Sequence, residues 1–413
     1  MRRIYMDANA TTPLLPEVFE AMRPFFLEHY GNASSIHQQG QYARAAVDHA
    51  RDEIARLLHC RSSEIVFTSG GTESDNLALF GTLEHATTDP VHLITTSIEH
   101  HAVLHAAEAI AKSSAALNGT KALSQRIEVT FLPCTPQGLI EPATLQAAIR
   151  PNTKLVSIMF ANNETGVIQP IAELAAIAHA AGALFHTDAV QATGKLPLDL
   201  SPKGPLKDVD LLTLSGHKIY APKGIGVLFV RRSVRLAPML HGGTHERQRR
   251  AGTENVAGIV ALGKAAELAS TWLTEDAPAD GPTHLATLRD RLEQGILAQV
   301  EECGVNGAGA PRVSNTTNLY FDHVEAEALV IALDLKGLSV SGGSACQSGA
   351  TEPSHVLTAM GLAPARARAS IRFSLSRLTT EEEVDEALTL IPAAVARLRD
   401  LSPTWHPPVP MEA

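Results

Sequence analysis

Between Glu64 and Val230 the chain alternates short apolar runs with longer segments of helical spacing. The runs EIVFTS (64–69), HLITTS (92–97), RIEVTFL (126–132), KLVSIMF (154–160), ALFHT (183–187), DLLTLS (210–215) and IGVLFV (225–230) are mostly rich in Val, Ile and Leu. That composition suits strands covered on both faces, which have no polar side to show. Helical segments separate the first six, among them ESDNLALFGTLEHA and IAELAAIAHAAG, the second stopping at Gly182. The rhythm predicts an α/β fold, a mainly parallel seven-stranded sheet with helices on both faces. The link from Ser215 to Ile225 is too short for a crossover helix, so the seventh strand is expected to run antiparallel.

After Val256 the pattern changes. A long apolar helix (AGIVALGKAAELASTWL) leads to a Pro/Asp/Gly patch at 275–282. A helix, a strand near NTTNLYF, a second helix, the strand IRFSLS and a last helix follow. This predicts a smaller α+β domain that the N-terminal segment completes. The expected division is 16–264 for the large domain, with 1–15 and 265–413 forming the small one around a mobile loop at about 340–352. The polar stretch 112–125 reads as a surface excursion, and the Pro-rich tail as frayed.

Composition narrows the class. With 413 residues, 45% hydrophobic and 19% charged, the chain reads as soluble and globular. No uninterrupted apolar window of ~18 residues predicts a membrane span, and MRRIYMDANATT lacks the apolar core of a signal peptide. A formal net charge of -10 argues against general nucleic-acid binding. Cys60, Cys134, Cys303 and Cys346 form no CxxC pair, so neither a disulfide framework nor a metal site is expected, and a reducing cytoplasm fits best.

Ligands of open parallel sheets gather outside the carboxyl ends of the strands. After the first strand comes GGTESDN, a turn whose free N–H groups suit a phosphate; after the second come His100 and His101. After the fourth come Asn162, Asn163 and Glu164, after the fifth Asp188 and Gln191, and after the sixth His217 and Lys218. Singly, each has an ordinary reading as a turn, a cap or a solvated charge. Together they are what pyridoxal 5'-phosphate requires: N–H donors for its phosphate, a lysine for its aldehyde and a carboxylate for its ring nitrogen.

At these residues the chain resembles the cysteine desulfurases, class-V members of the fold-type-I pyridoxal-phosphate enzymes. The likeness runs through YMDANATTPL (5–14), GNASSIHQQG (31–40), FTSGGTESDN (67–76), EHHAVL (99–104), NNETG (162–166) and HTDAVQ (186–191). It continues through SGHKIYAPKGIG (215–226), HGGTHER (241–247), RAGTEN (250–255), GSACQSG (343–349) and IRFSLSR (371–377). The resemblance implies that Lys218 is the Schiff-base lysine, that His100 stacks on the cofactor ring and that Asp188 pairs with its nitrogen. It also implies that Gly71, Thr72, Ser215 and His217 hold the phosphate and that Gln191 and Asn163 sit near the phenolic oxygen. Thr253 would reach the phosphate of a neighbouring subunit, which implies a homodimer. Asn163 and Arg372 would bind substrate, Arg372 through its bidentate fork to the carboxylate.

Cys346, set among Gly, Ser, Ala and Gln, then becomes the sulfur acceptor, while Cys60, Cys134 and Cys303 read as small buried hydrophobes. The implied reaction takes sulfur from L-cysteine, leaving alanine and a persulfide on Cys346. SGGSACQSGA before TEPSHVL resembles the longer-loop branch, which serves iron–sulfur assembly and tRNA thiolation through acceptor proteins. Selenocysteine lyase or another class-V reaction is the alternative on the same cofactor, and a non-catalytic sulfur carrier the alternative from a different class.

Overall fold

The computed structural model describes residues 3–85, 90–115, 126–274, 281–342, 353–403 and 405. Near the N-terminus a short strand, β1 (Ile4–Tyr5), precedes the seven expected runs. These fold as β2 (Ile65–Thr68), β3 (Val91–Thr96), β4 (Ile127–Leu132), β5 (Thr153–Ser157), β6 (Leu184–Asp188), β7 (Leu211–Ser215) and β8 (Gly226–Val230). All seven lie in one sheet, in the order β2-β8-β7-β6-β5-β3-β4. β8 is antiparallel to both its neighbours and every other pair is parallel, as the short link at 215–225 requires. The strands are buried along nearly their whole length, except β4 at the sheet edge.

One expected element is absent. No helix separates β6 from β7; residues 189–210 form turns instead. Gly194 at φ 72, together with Pro197 and Pro202, breaks any helix there. Elsewhere the helices follow the apolar spacing: Gly71–Leu83 after β2, His101–Ala115 after β3, Pro142–Ala148 after β4 and Ile171–Ala180 after β5. The last of these stops where Gly182 takes a positive φ of 76.

A second sheet of β9 (Cys303–Val305), β10 (Thr316–Phe321), β12 (Ser341–Gly342) and β13 (Ser370–Ser374) runs β12-β13-β10-β9. Beside it β1 pairs in parallel with β11 (Leu338–Ser339), and Asp7 bridges to Ser374. Ile4 and Met6 therefore enter the hydrophobic core of this second sheet, with Leu319, Phe321, Ile371 and Phe373. The helix Val256–Leu273 is long and apolar enough, by length and composition, to cross a membrane. It is instead a core helix that feeds Leu262 and Ala266 into the large core and Trp272 into the small one. A side chain at Gly263 would lie 2.6 Å from the Ala50 backbone, so glycine is what lets the helix Gln38–Leu57 approach it so closely.

The segment after β8 carries three consecutive residues in the left-handed region, Glu246, Arg247 and Gln248. Such conformations cost about 1–3 kcal/mol each and persist only where the surroundings enforce them. Here the enforcement is a buried fork. Arg51 donates to both Glu246 carboxylate oxygens at 2.8 Å, and the Phe67 N–H donates to Glu246 Oε2 at 3.0 Å. This pins residues 246–248 against β2. Replacing Glu246 by Ala leaves Arg51 as an uncompensated buried charge and should cost about 3–5 kcal/mol. The check is the midpoint of urea unfolding against the wild type.

Candidate active site

One cavity of about 350 Å³ opens between the C-terminal ends of β2, β3, β5, β6 and β7 and the second sheet. It falls in the size range of small-molecule sites. It gathers Gly71, Thr72, His100, Asn163, Asp188, Gln191, Ser215, His217, Lys218 and Arg372. Of the candidates from sequence, Thr253 lies outside it, exposed in the segment after the left-handed turn. Cys346 and most of 112–125 lie outside the described residues, and Asn162 folds into the turn beneath the cavity, accepting from the Glu164 and Thr165 N–H groups.

The floor is built by β7, an apolar strand that ends at Ser215 and turns sharply through Gly216–Lys218. A Cβ at Gly216 would meet Ile225 Cγ2 at 2.9 Å, so this turn needs glycine to bring Lys218 under the cavity. Lys218 Nζ donates to the main-chain carbonyl of Ala10 at 2.7 Å and to that of Asn9. His217 Nδ1 lies 3.2 Å from Thr11 Oγ1, and burial pushes its pKa down to about 4.

Beside the end of β7 the helix Gly71–Leu83 starts against the cavity with no side-chain cap. Its first N–H groups and the positive end of its dipole suit an anion. Glu73 on the same turn accepts from the Ser69 N–H at 2.8 Å and from Arg250 Nε at 2.8 Å, so it is turned away as a partner of those groups.

Asp188, at the end of β6, is buried and accepts from the Val190 N–H at 2.9 Å. Burial pushes its carboxyl up to about 6, against the opposing pull of that N–H and of Lys218. Asp75, one turn into the facing helix, is also buried at the cavity and held well above the carboxylate range by burial and by Asp188. Two carboxyls in one buried site call for a cation or a proton. His100 is half-buried, and desolvation lowers its pKa to about 4, so the ring is neutral. The Ala102 N–H donates to His100 Nδ1 at 3.2 Å, which leaves the ring hydrogen on Nε2.

Arg372 corrects an expectation. Without the resemblance, the sequence reads it as an edge-strand surface charge, but β13 is an interior strand and Arg372 is 2% exposed. Its Nη2 donates to Asp7 Oδ1 at 2.8 Å and its Nη1 to the Asn163 carbonyl at 2.9 Å. Arg372 Nε and Asn163 Oδ1 are buried polar atoms that find no hydrogen-bond partner among the described residues. Orphaned groups of both signs, converging on one cavity, fit a ligand that carries both donors and acceptors.

The donor set fits pyridoxal 5'-phosphate. An uncapped helix start suits a phosphate, a buried acid a ring nitrogen, a neutral imidazole a ring face and a lysine an aldehyde. Sequence reasoning missed Asn9, Ala10, Asp75, Met159, Ala161, Val190 and His355, which also line the cavity. Asn9 and Ala10 stand in the YMDANATT phrase, whose unpaired polar residues beside β1 were the available signal. His355 was hidden because its cavity contact is set by the tertiary bond of its Nε2 to the Glu99 carbonyl, 2.9 Å away.

Glu99 lies behind the wall, fully buried, accepting from Thr96 Oγ1 at 2.8 Å and from the Met159 N–H at 3.0 Å. Burial raises its pKa to about 8. A carboxyl whose folded pKa is raised binds its proton more tightly in the folded state. That stability is fully present below about 4.5 and is lost as pH rises through about 8. The melting temperature of the cofactor-free protein should fall across this window, and Glu99→Gln should flatten the curve. A variant as pH-sensitive as the wild type would place the titrating group elsewhere.

Known proteins resemble this chain over nearly its whole length. The model of the aminotransferase class-V family matches residues 4–387. Cysteine desulfurase 2 of Trichormus variabilis is 49% identical over 98% of this chain and 96% of its own. Cysteine desulfurase IscS of Methanosarcina thermophila is 46% identical over 97% of this chain and 94% of its own. A solved structure titled NifS-like protein superposes with a TM-score of 0.83 at 35% identity, covering 96% of this chain and all of the other. With a catalytic-type lysine, a buried acid and an anion-binding helix start in one cavity, the chain belongs to the class-V aminotransferase family, among its pyridoxal-phosphate-dependent cysteine desulfurases.

Proposed function

We propose that this cysteine desulfurase runs its reaction through Lys218 and Cys346, with the other cavity residues in the roles their positions suit. The observation that carries the reading is the placement of Lys218 in the same cavity as Asp188 and an uncapped helix start. When bound, pyridoxal 5'-phosphate supplies an electron sink for negative charge developed at an amino acid's α-carbon.

The chain's own groups do the rest. The Gly71 and Thr72 amides, Ser215 and His217 hold the phosphate, while Asp188 keeps a proton on the ring nitrogen. His100 covers the ring face, and its Nε2–H makes it a donor in the resting state. Gln191 and Asn163 face the phenolic oxygen, and Arg372 with Asn163 orients the substrate carboxylate. Lys218 Nζ would hold the cofactor's aldehyde and is the base that takes the substrate's α-proton. The Asn9 and Ala10 carbonyls, which already accept from Nζ, stabilise it in protonated form.

The Cys346 thiolate then attacks the substrate sulfur. An S–S bond forms as the substrate Cβ–S bond breaks; the carbon fragment keeps the electron pair, takes up protons and leaves as alanine. We assign the persulfide's onward transfer to an iron–sulfur scaffold or a thiolation acceptor protein in a reducing cytoplasm. Thr253, exposed in this chain, is assigned to the phosphate of a second copy in a homodimer. The large and small domains are assigned to 16–264 and to 1–15 with 265–413.

Incubation with L-cysteine tests the reading: equal amounts of sulfide and alanine are expected, whereas a keto acid would overturn it. Cys346→Ala should keep the yellow cofactor and still bind cysteine, yet release almost no sulfide under mild reductant. Lys218→Ala should abolish alanine formation, measured by amino-acid analysis after prolonged incubation. Turnover near wild type in either variant removes the corresponding role.

A further inference from the structure

Lys195 lies off the strand ends and has no part in the roles assigned above. It is half-buried beside the cavity, where its Nζ donates to Gln191 Oε1 at 2.7 Å and to Asn9 Oδ1 at 3.1 Å. Burial and the nearby Lys218 and Arg372 charges hold its pKa well below the ordinary lysine value. Charged or neutral, the amine keeps N–H donors, so both facing atoms act as acceptors.

The orientation of the Gln191 amide follows independently from its other end. Gln191 Nε2 donates to the Asn9 main-chain carbonyl at 3.0 Å, and a carbonyl can only accept. The Asn9 amide is fixed in the same way. Its Nδ2 donates to the Asn163 carbonyl at 3.1 Å and to Thr316 Oγ1 at 2.9 Å. Its Oδ1 also accepts from Asn315 Nδ2, at 3.1 Å. A flipped Gln191 would set an NH₂ against Nζ and a carbonyl against a carbonyl, leaving buried groups unpaired. The Gln191 NH₂ spends one hydrogen on Asn9 and keeps a second, and Gln191 lines the cavity.

We propose that Lys195 is a positioning residue: it holds the Gln191 carbonyl so that Gln191 offers the cofactor's phenolic oxygen an N–H and not a lone pair. This rests on the reading of Gln191 as a neighbour of that oxygen. Once the donors of Lys195 are removed, Gln191 is held only through the Nε2 bond to Asn9 and its carbonyl loses its partner, so the second N–H is no longer firmly aimed and the hydrogen bond that stabilises the phenolic oxygen's negative charge weakens.

The test titrates the visible absorption of the cofactor-loaded protein against pH in wild type, Lys195→Met, Gln191→Ala and the double variant. Lys195→Met should move the midpoint upward by up to about one pH unit, the scale of one hydrogen bond. Gln191→Ala should move it in the same direction, and adding Lys195→Met to it should change nothing further. A midpoint unmoved by Lys195→Met while Gln191→Ala moves it overturns the role of Lys195 and leaves the cofactor reading intact. An unmoved Gln191→Ala overturns the placement of Gln191 and the proposal with it. Equal Lys195→Met shifts in both backgrounds mean that Lys195 acts by its own charge, which also overturns it. Far-ultraviolet circular dichroism checks folding, and Lys195→Leu is titrated in place of a Met variant that does not fold.

Discussion

The site depends on a short N-terminal strap clamped between two sheets. Asn9 accepts from Lys218 and Gln191 of the large sheet's loops through its carbonyl, while its side chain donates to the Asn163 carbonyl and to Thr316 on β10. Its own N–H donates to Ser374 Oγ at the end of β13. Two residues earlier, Asp7 holds Arg372. Every one of these groups is buried or part-buried, so each broken bond would leave a desolvated partner, and the cost of leaving is what fixes the two sheets' relative position. The strap is thus a hinge pin whose removal would disperse the cavity wall rather than trim it.

Charge inside the cavity is balanced by geometry rather than by solvent. Asp75 and Asp188 meet Lys218 across the same space, and Arg372 is neutralised from outside by Asp7. Desolvation pushes the acids up and the histidines down, each toward its less charged form. A ligand that brings a phosphate to the helix start and a protonatable nitrogen to the acids restores the charged forms. Binding and ionisation are therefore linked events.

The fold was legible because the seven β-runs are apolar on both faces, and such runs leave few alternatives to a covered parallel sheet. The antiparallel β8 followed from chain length alone. The helix expected between β6 and β7 failed because prolines and a left-handed glycine decide locally what periodicity cannot see. At the site, Lys218, Asp188 and the Gly71 turn were readable since strand ends point at one place. Asn9, Asp75 and Lys195 were not, since their value lies in partners distant in sequence: Asn9 meets Thr316, and Asp75 meets Asp188, only after the sheets are assembled. Arg372 shows the same limit, as an arginine in a strand looks solvated until the sheet around it closes.

The three described cysteines carry a chemical consequence. Cys60, Cys134 and Cys303 are partly buried, and desolvation raises all three thiols, Cys60 to about 12. A thiol held protonated is a poor nucleophile toward sulfane sulfur. Desolvation thereby lowers the reactivity of these three positions, and a neutral-pH alkylating reagent should modify them slowly.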